Sequence, residues 1–212
     1  MAMSYTVLTG AKSVEGSIKY YVRHSEVPSA SILESAQALI YSLLRVREMK
    51  TLVTSSFATD ATTITLPTGF LEPISLWLDR NNKAKIRILD EEHFEQRVGR
   101  DANGVLFVGA PTFCTMDKTL IYLDAKADQT YYYRLWYYGT PAALSGGNET
   151  NFLTTRYPHL LEAACKHYAY AHREDDGAAS KWLQVATAAI EKANGEHDMF
   201  QQAIQHELYW DQ

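Results

Sequence analysis

The spacing of apolar residues changes twice along the chain. Up to about residue 50 it follows a helical period, from 51 to about 138 it mostly alternates, and beyond 150 it returns to the helical period. The first stretch predicts a short helix over about Val14 to Tyr21, with Val14, Ile18, Tyr21 and Val22 on one face and Gly16 weakening it. A longer helix follows over about Ala30 to Val46, with Ile32, Ala36, Leu39, Ile40, Leu43 and Leu44 as its apolar stripe. Ser31 and Glu34 have capping-box spacing, and Arg45, Arg47 and Lys50 lie where the helix dipole favours cations.

From Thr51 the period falls to two. TLVTSSF and ATTITL, rich in β-branched residues and split by an Asp-containing turn, predict a hairpin. Leu66-Pro67-Thr68-Gly69-Phe70 stops the second strand. ISLWLD then places Ile74, Leu76 and Leu78 on one face and Ser75, Trp77 and Asp79 on the other. Asp79-Arg80-Asn81-Asn82 predicts a turn into the strand KIRIL. Asp90 is placed to cap a short acidic helix that ends near Gly99. Residues 100–118 fit no single pattern, although Val105 to Val108 has strand character, and Leu120 to Leu123 predicts a further strand.

The strand from Tyr131 to Tyr138 is the most aromatic stretch. Tyr131, Tyr133, Leu135 and Tyr137 share one face; Tyr132, Arg134, Trp136 and Tyr138 share the other. Neither face is plainly polar, so either both are covered within the protomer or one meets another chain. After a Pro/Gly/Ser-rich connection, Asn151 is placed to cap a short turn, and Pro158 suits the first turn of a helix reaching about His172. A turn over 173–177 leads to a helix with Ala178, Trp182, Val185, Ala189 and Ala193 inward, ended by Asn194-Gly195. The remaining residues form one more amphipathic helix through Phe200, Ile204 and Leu208. The pattern as a whole predicts an α+β protein. Helical segments over 1–50 and 150–212 make a bundle, and a β-rich antiparallel module over 51–149 is inserted between them.

Composition adds one feature, an aromatic excess of 14 Tyr, 7 Phe and 4 Trp. It fits either an assembly surface or a β-rich core. The net charge of −5 comes without a basic run, which argues against a surface that tracks phosphates. Cys114 and Cys165 show no metal or redox spacing and are expected as free thiols. No stretch has the apolar length of a membrane span, and the first residues have no signal-peptide core. His159, His167 and His172 are out of register for a shared helix face, so no metal site is expected. Gly10-Ala11-Lys12-Ser13 lacks the earlier glycine of a phosphate loop. Glu174-Asp175-Asp176 reads as a helix start rather than a paired-carboxylate site. No catalytic residue is assigned.

Three stretches carry a resemblance: LPTGFLEPISLWLD at 66–79, YRLWYYGTPAALSGGNETNFLTTRYPHLLEAA at 133–164 and DDGAASKWLQVATAAI at 175–190. Together, over about 28–195, they resemble the head-to-tail adaptor (head-completion, connector) proteins of tailed bacteriophages, those of short-tailed phages above all. The resemblance implies a structural virion protein of the neck, present in the host cytoplasm during assembly. It implies a ring, usually twelvefold, beneath the portal protein. Such a ring extends the channel for double-stranded DNA, which passes without sequence-specific binding, and docks the next tail, gatekeeper or nozzle protein. It implies no cofactor, no membrane and no catalysis. On that analogy Met199, Phe200, Ile204, Leu208, Tyr209 and Trp210 are portal-binding candidates, and Tyr132, Arg134, Trp136 and Tyr138 are candidates for contact between protomers. Two other readings of the aromatic strand are a phage cell-wall hydrolase and a tail or receptor-binding module.

Overall fold

The computed structural model describes residues 3–79 and 84–210, with side chains described up to residue 199. In chain order the elements are α1 (Tyr5–Thr9), α2 (Ile18–Val22), α3 (Ser29–Leu43), a 3-10 turn (Arg47–Met49), β1 (Lys50–Phe57), β2 (Thr63–Thr65), β3 (Phe70–Leu78) and β4 (Ala84–Ile88). They continue with α4 (Glu91–Arg97), β5 (Phe113–Met116), β6 (Leu120–Leu123), β7 (Tyr131–Gly139), α5 (Phe152–Arg156), α6 (Pro158–His172) and α7 (Asp176–Trp210). The turn expected at Arg80-Asn81-Asn82 lies outside the described residues. The chain divides into two compact units. One is helical, made of residues 1–48 and 141–212; the other holds the strands, residues 49–140.

In the helical unit α6 and α7 form an antiparallel hairpin, and α2 and α3 pack on α6. Its core is aliphatic and alanine-rich, with Leu33, Ala36, Ile40, Leu161, Ala164, Cys165 and Ala186 all fully buried. Small residues on α6 and α7 let the two backbones approach. Asn151 caps α5 through a capping box with Thr154, and Pro158 opens α6, as the sequence predicts. Two local expectations fail. Ser31 does not cap α3: the helix begins at Ser29 behind Pro28, so Ser31 is already inside it. Asn194-Gly195 does not end α7, which runs on to Trp210. One glycine in a helix costs only about 1 kcal/mol, and Asn194 has a partner described below.

The strands among the described residues form one seven-stranded sheet in the order β1-β7-β3-β4-β5-β6-β2. The fold is therefore mixed α/β with a nearly closed, barrel-like sheet; the expected helical bundle with an inserted antiparallel β-module is incorrect. Two connections explain the difference. Between β4 and β5 the chain crosses over through α4, so β5 enters parallel to β4, with Arg87 opposite Phe113 and Ile88 opposite Cys114. Between β1 and β2 the chain makes no hairpin. Asp60 N–H donates to Ala127 O at 2.8 Å and Ala127 N–H to Ala61 O at 3.0 Å, and these bonds direct the chain to β6, where Ile64 lies opposite Ile121. β1 pairs instead with β7 over its whole length.

The inward residues of these strands make one core: Phe57, Ile64, Leu76, Leu78, Ile86, Cys114, Ile121, Leu123, Tyr131, Tyr133, Leu135 and Tyr137. Ile74 does not share the inner face of Leu76 and Leu78 as its spacing suggests. A bulge between Pro73 and Ser75 shifts the register by one residue and leaves Ile74 exposed.

Candidate interaction surfaces

β7 lies between β1 and β3, so both of its edges are paired and its side chains are fixed by two neighbours. Its two faces have different fates. Tyr131, Tyr133, Leu135 and Tyr137 are buried in the strand unit. Burial requires partners for their hydroxyls, and Tyr131 donates to Asp128 Oδ1 at 2.6 Å while Gln129 Nε2 donates to Tyr131 at 3.2 Å. The opposite row is uncovered: Tyr132 is 61% and Trp136 40% exposed, with Arg134 and Tyr138 half-buried. The question left open by the alternation is thus answered for the protomer, because one aromatic face is core and the other meets solvent.

The neighbours extend that outer row into a wall. The register sets Thr54, Arg134, Trp77 and Lys85 side by side, with Leu52, Trp136 and Ser75 in the next row. Leu52 is 42% exposed. Arg134 reaches Asp79 at 3.0 Å, and Trp77 Nε1 donates to Ser75 Oγ at 3.1 Å, which fixes the indole. Trp77, Asp79, Arg134 and Trp136 border a shallow trough of about 210 Å³. Lys50 sits 5.8 Å from the Tyr138 ring centroid. A wall of fixed aromatic rings with cationic heads among them suits protein contact, since rigid aromatics bring area at little entropic cost.

Of the C-terminal candidates, Met199 has a described side chain. Met199 is 66% exposed on α7. The backbone stays helical to Trp210, while the side chains of Phe200, Ile204, Leu208, Tyr209 and Trp210 lie outside the described residues. Before that point α7 is tied down. Asn194 Oδ1 accepts from Arg45 N–H at 2.7 Å and its Nδ2 donates to Leu43 O at 3.0 Å, closing the end of α3. Arg156 and Arg47 both pair with Glu48 beside this junction.

Sequence reasoning missed the segment from Gly99 to Gly109. Asp101 Oδ1 accepts from the N–H groups of Asn103 and Val105 at 2.8 and 2.9 Å, and Gly104 takes φ +79°. The signal available was Asp101-Ala102-Asn103-Gly104, a turn composition with glycine where a positive φ is needed. The turn presents Val105, Phe107 and Val108, which are 52%, 60% and 65% exposed. Beside it a cavity of about 800 Å³ is bordered by Glu91, Glu95, Arg100, Asp117 and Tyr122. Arg100, on its border, lies 3.5 Å from Glu95. Among the described residues no group of three or more His, Cys, Asp or Glu is arranged to hold a metal ion. His167 Nδ1 is engaged with Ala179 O at 2.9 Å. Among the described residues no helix is long and apolar enough to cross a membrane.

The family model described as SU10 adaptor protein matches residues 16–206, which take in both the β7 wall and most of α7. No curated protein matches the chain.

Proposed function

The chain belongs to the SU10 adaptor protein family, a family of bacteriophage structural adaptors, and on that premise we propose that it forms the ring joining a phage portal to its tail. In this reading the protein is a virion component of the head–tail junction, assembled in the host cytoplasm. The ring, usually twelvefold in such adaptors, prolongs the portal channel, lets double-stranded DNA pass without reading its sequence, and offers its far side to a gatekeeper or nozzle protein.

The observation that carries this reading is the family match across residues 16–206. Two features of the fold support it. Ring closure costs less when the contact surfaces are fixed before assembly, and the Tyr132, Arg134, Trp136 and Tyr138 row is held on a strand paired along both edges. A portal contact needs a segment free to meet another chain, and α7 continues as a helix to Trp210, past Met199, which is 66% exposed. We assign Met199 and the residues after it, with Phe200, Ile204, Leu208, Tyr209 and Trp210, to the portal side.

The test is direct. Mix the chain with the portal protein of its own phage and image the product by electron microscopy. The expected result is a second ring on the portal's narrow end, lost when the chain is cut after Gly195. A ring that survives the cut removes the role of the tail and keeps the adaptor. No association with an intact portal ring would refute the reading.

A further inference from the structure

We propose that the ring closes through two different surfaces of the strand unit. The outer wall of β1, β7, β3 and β4 on one copy docks against α4 and the 99–109 turn of the next copy. The inference rests on the ring assembly proposed above and names the contact within it.

The wall is aromatic and basic. Trp77 lies directly opposite Lys85, and Arg87 follows two residues later on the same face of β4. Both cations are exposed, and among the described residues neither has an ion-pair partner. Arg134 is already matched by Asp79. The wall therefore joins Tyr132 and Trp136 to unmatched positive charge, on a chain whose net charge is −5.

The other surface is acidic and apolar. α4 exposes Glu91, Glu92 and Glu95 ahead of Arg97 in its last turn, and among the described residues Glu95 pairs with Arg100 while Glu91 and Glu92 have no ion-pair partner. Next to α4 stand the exposed Val105, Phe107 and Val108. They sit on a fixed frame. Phe107 N–H donates to Gly99 O at 3.3 Å, Lys126 N–H donates to Phe107 O at 2.9 Å, and Gly109 N–H donates to Lys126 O at 2.9 Å. Apolar tips held out by backbone bonds lose little further freedom on docking.

Charge complementarity selects a second copy as the occupant. A two-fold contact of wall on wall would set Lys85 and Arg87 against their own kind, which is unfavourable. A head-to-tail contact sets them against Glu91 and Glu92. It also pairs the exposed aromatic rings with Phe107 and Val108. Two unlike surfaces on one unit are what a cyclic ring requires.

A charge-swap series tests this. The chain carrying Lys85→Glu and Arg87→Glu, and separately the chain carrying Glu91→Lys and Glu92→Lys, are incubated with the intact portal. Rings are counted by electron microscopy, and thermal melts establish that each variant is folded. Each pair of reversals is expected to lower ring formation about tenfold or more, and the chain carrying all four is expected to restore it. Rings that persist with either pair alone overturn the contact while leaving the adaptor ring standing. Losses that the fourfold chain fails to restore also overturn it. No ring with the unaltered chain would overturn both readings together.

Discussion

Asn194 and Arg45 are joined by a 2.7 Å hydrogen bond from the Arg45 N–H to the Asn194 side-chain oxygen, 149 residues apart in sequence. The same amide donates to Leu43 O, so one side chain serves both backbone groups at the C-terminal end of α3. Replacing Asn194 by Ala removes two bonds, each worth about 1 kcal/mol, and returns about 0.5 kcal/mol through better helix propensity. The expected net loss is about 1.5 kcal/mol in a denaturant titration. An unchanged midpoint would show that water replaces both bonds at no cost.

Gln37 is a buried polar side chain of α3 that has an identified task. Its Oε1 accepts from Leu144 N–H at 2.7 Å and its Nε2 donates to Leu33 O at 3.4 Å. Gln37→Leu keeps the volume but strands the Leu144 amide in an apolar site. The expected cost is about 2 kcal/mol, with faster hydrogen exchange at Leu144. Slow exchange at that amide in the variant would contradict this account.

Gly99 lies beneath the Phe107 ring, and a Cβ there would stand 2.5 Å from the ring edge. Because the ring is largely exposed, it can swing away. Gly99→Ala should therefore move the Phe107 ring resonances in an NMR spectrum while lowering stability by less than about 1 kcal/mol, as at other surface positions. A large destabilisation would mean that the backbone of the turn cannot yield.

Burial pushes the thiols of Cys114 and Cys165 up to about 12, with Asp124 and Glu162 respectively adding to the rise. The thiolate is the reactive form. Neither cysteine should react with a thiol reagent at pH 8 until the chain is unfolded by denaturant. Rapid labelling of the native protein would show that the cores around them open on that timescale.

Glu149 holds the first helix. Its carboxylate accepts from the Thr6 hydroxyl at 2.6 Å and from the Thr6 N–H at 2.9 Å, and these bonds hold its pKa below the usual carboxylate value. A depressed carboxylate stabilises the fold above its unfolded pKa and loses that contribution as pH falls through the folded value. Exchange of the Thr6 amide should therefore speed up, relative to its intrinsic rate, as the pH drops through the lower carboxylate range. Glu149→Gln should remove that dependence; a variant that keeps it would point to another group.

The elements whose logic is local could be read from the sequence. Asp90 caps α4, Asn151 caps α5, Pro158 opens α6, and alternation alone divides β7 into its two faces. Errors arose where a remote partner decides. A β-branched run and an Asp turn look the same whether the next strand folds back or travels on to β6, as β2 does. Pro73 sits at a bulge that period-two reasoning passes over, so Ile74 changed sides. Asn194-Gly195 carries the composition of a helix end, but the end that Asn194 satisfies is that of α3. Of the surfaces, the β7 row was legible because both faces of that strand are aromatic. The 99–109 turn was not, because its order comes from Lys126 and Gly99 rather than from any period of its own.

The position of β7 bears on when the protein can be made ready. The chain leaves the ribosome from its N-terminus, yet β7, the last strand synthesised, separates the early strands β1 and β3. Until residue 139 has emerged, β1 lacks its ladder and Phe57, Leu76 and Leu78 lack the rings of Tyr131 and Tyr133 that complete their core. The helical unit must wait as well, since its α6 and α7 come later still. Closure of such non-local pairings is slow and late. The Tyr132 and Trp136 row therefore comes into being only after residue 139 has emerged, and a shorter nascent chain presents no aromatic wall.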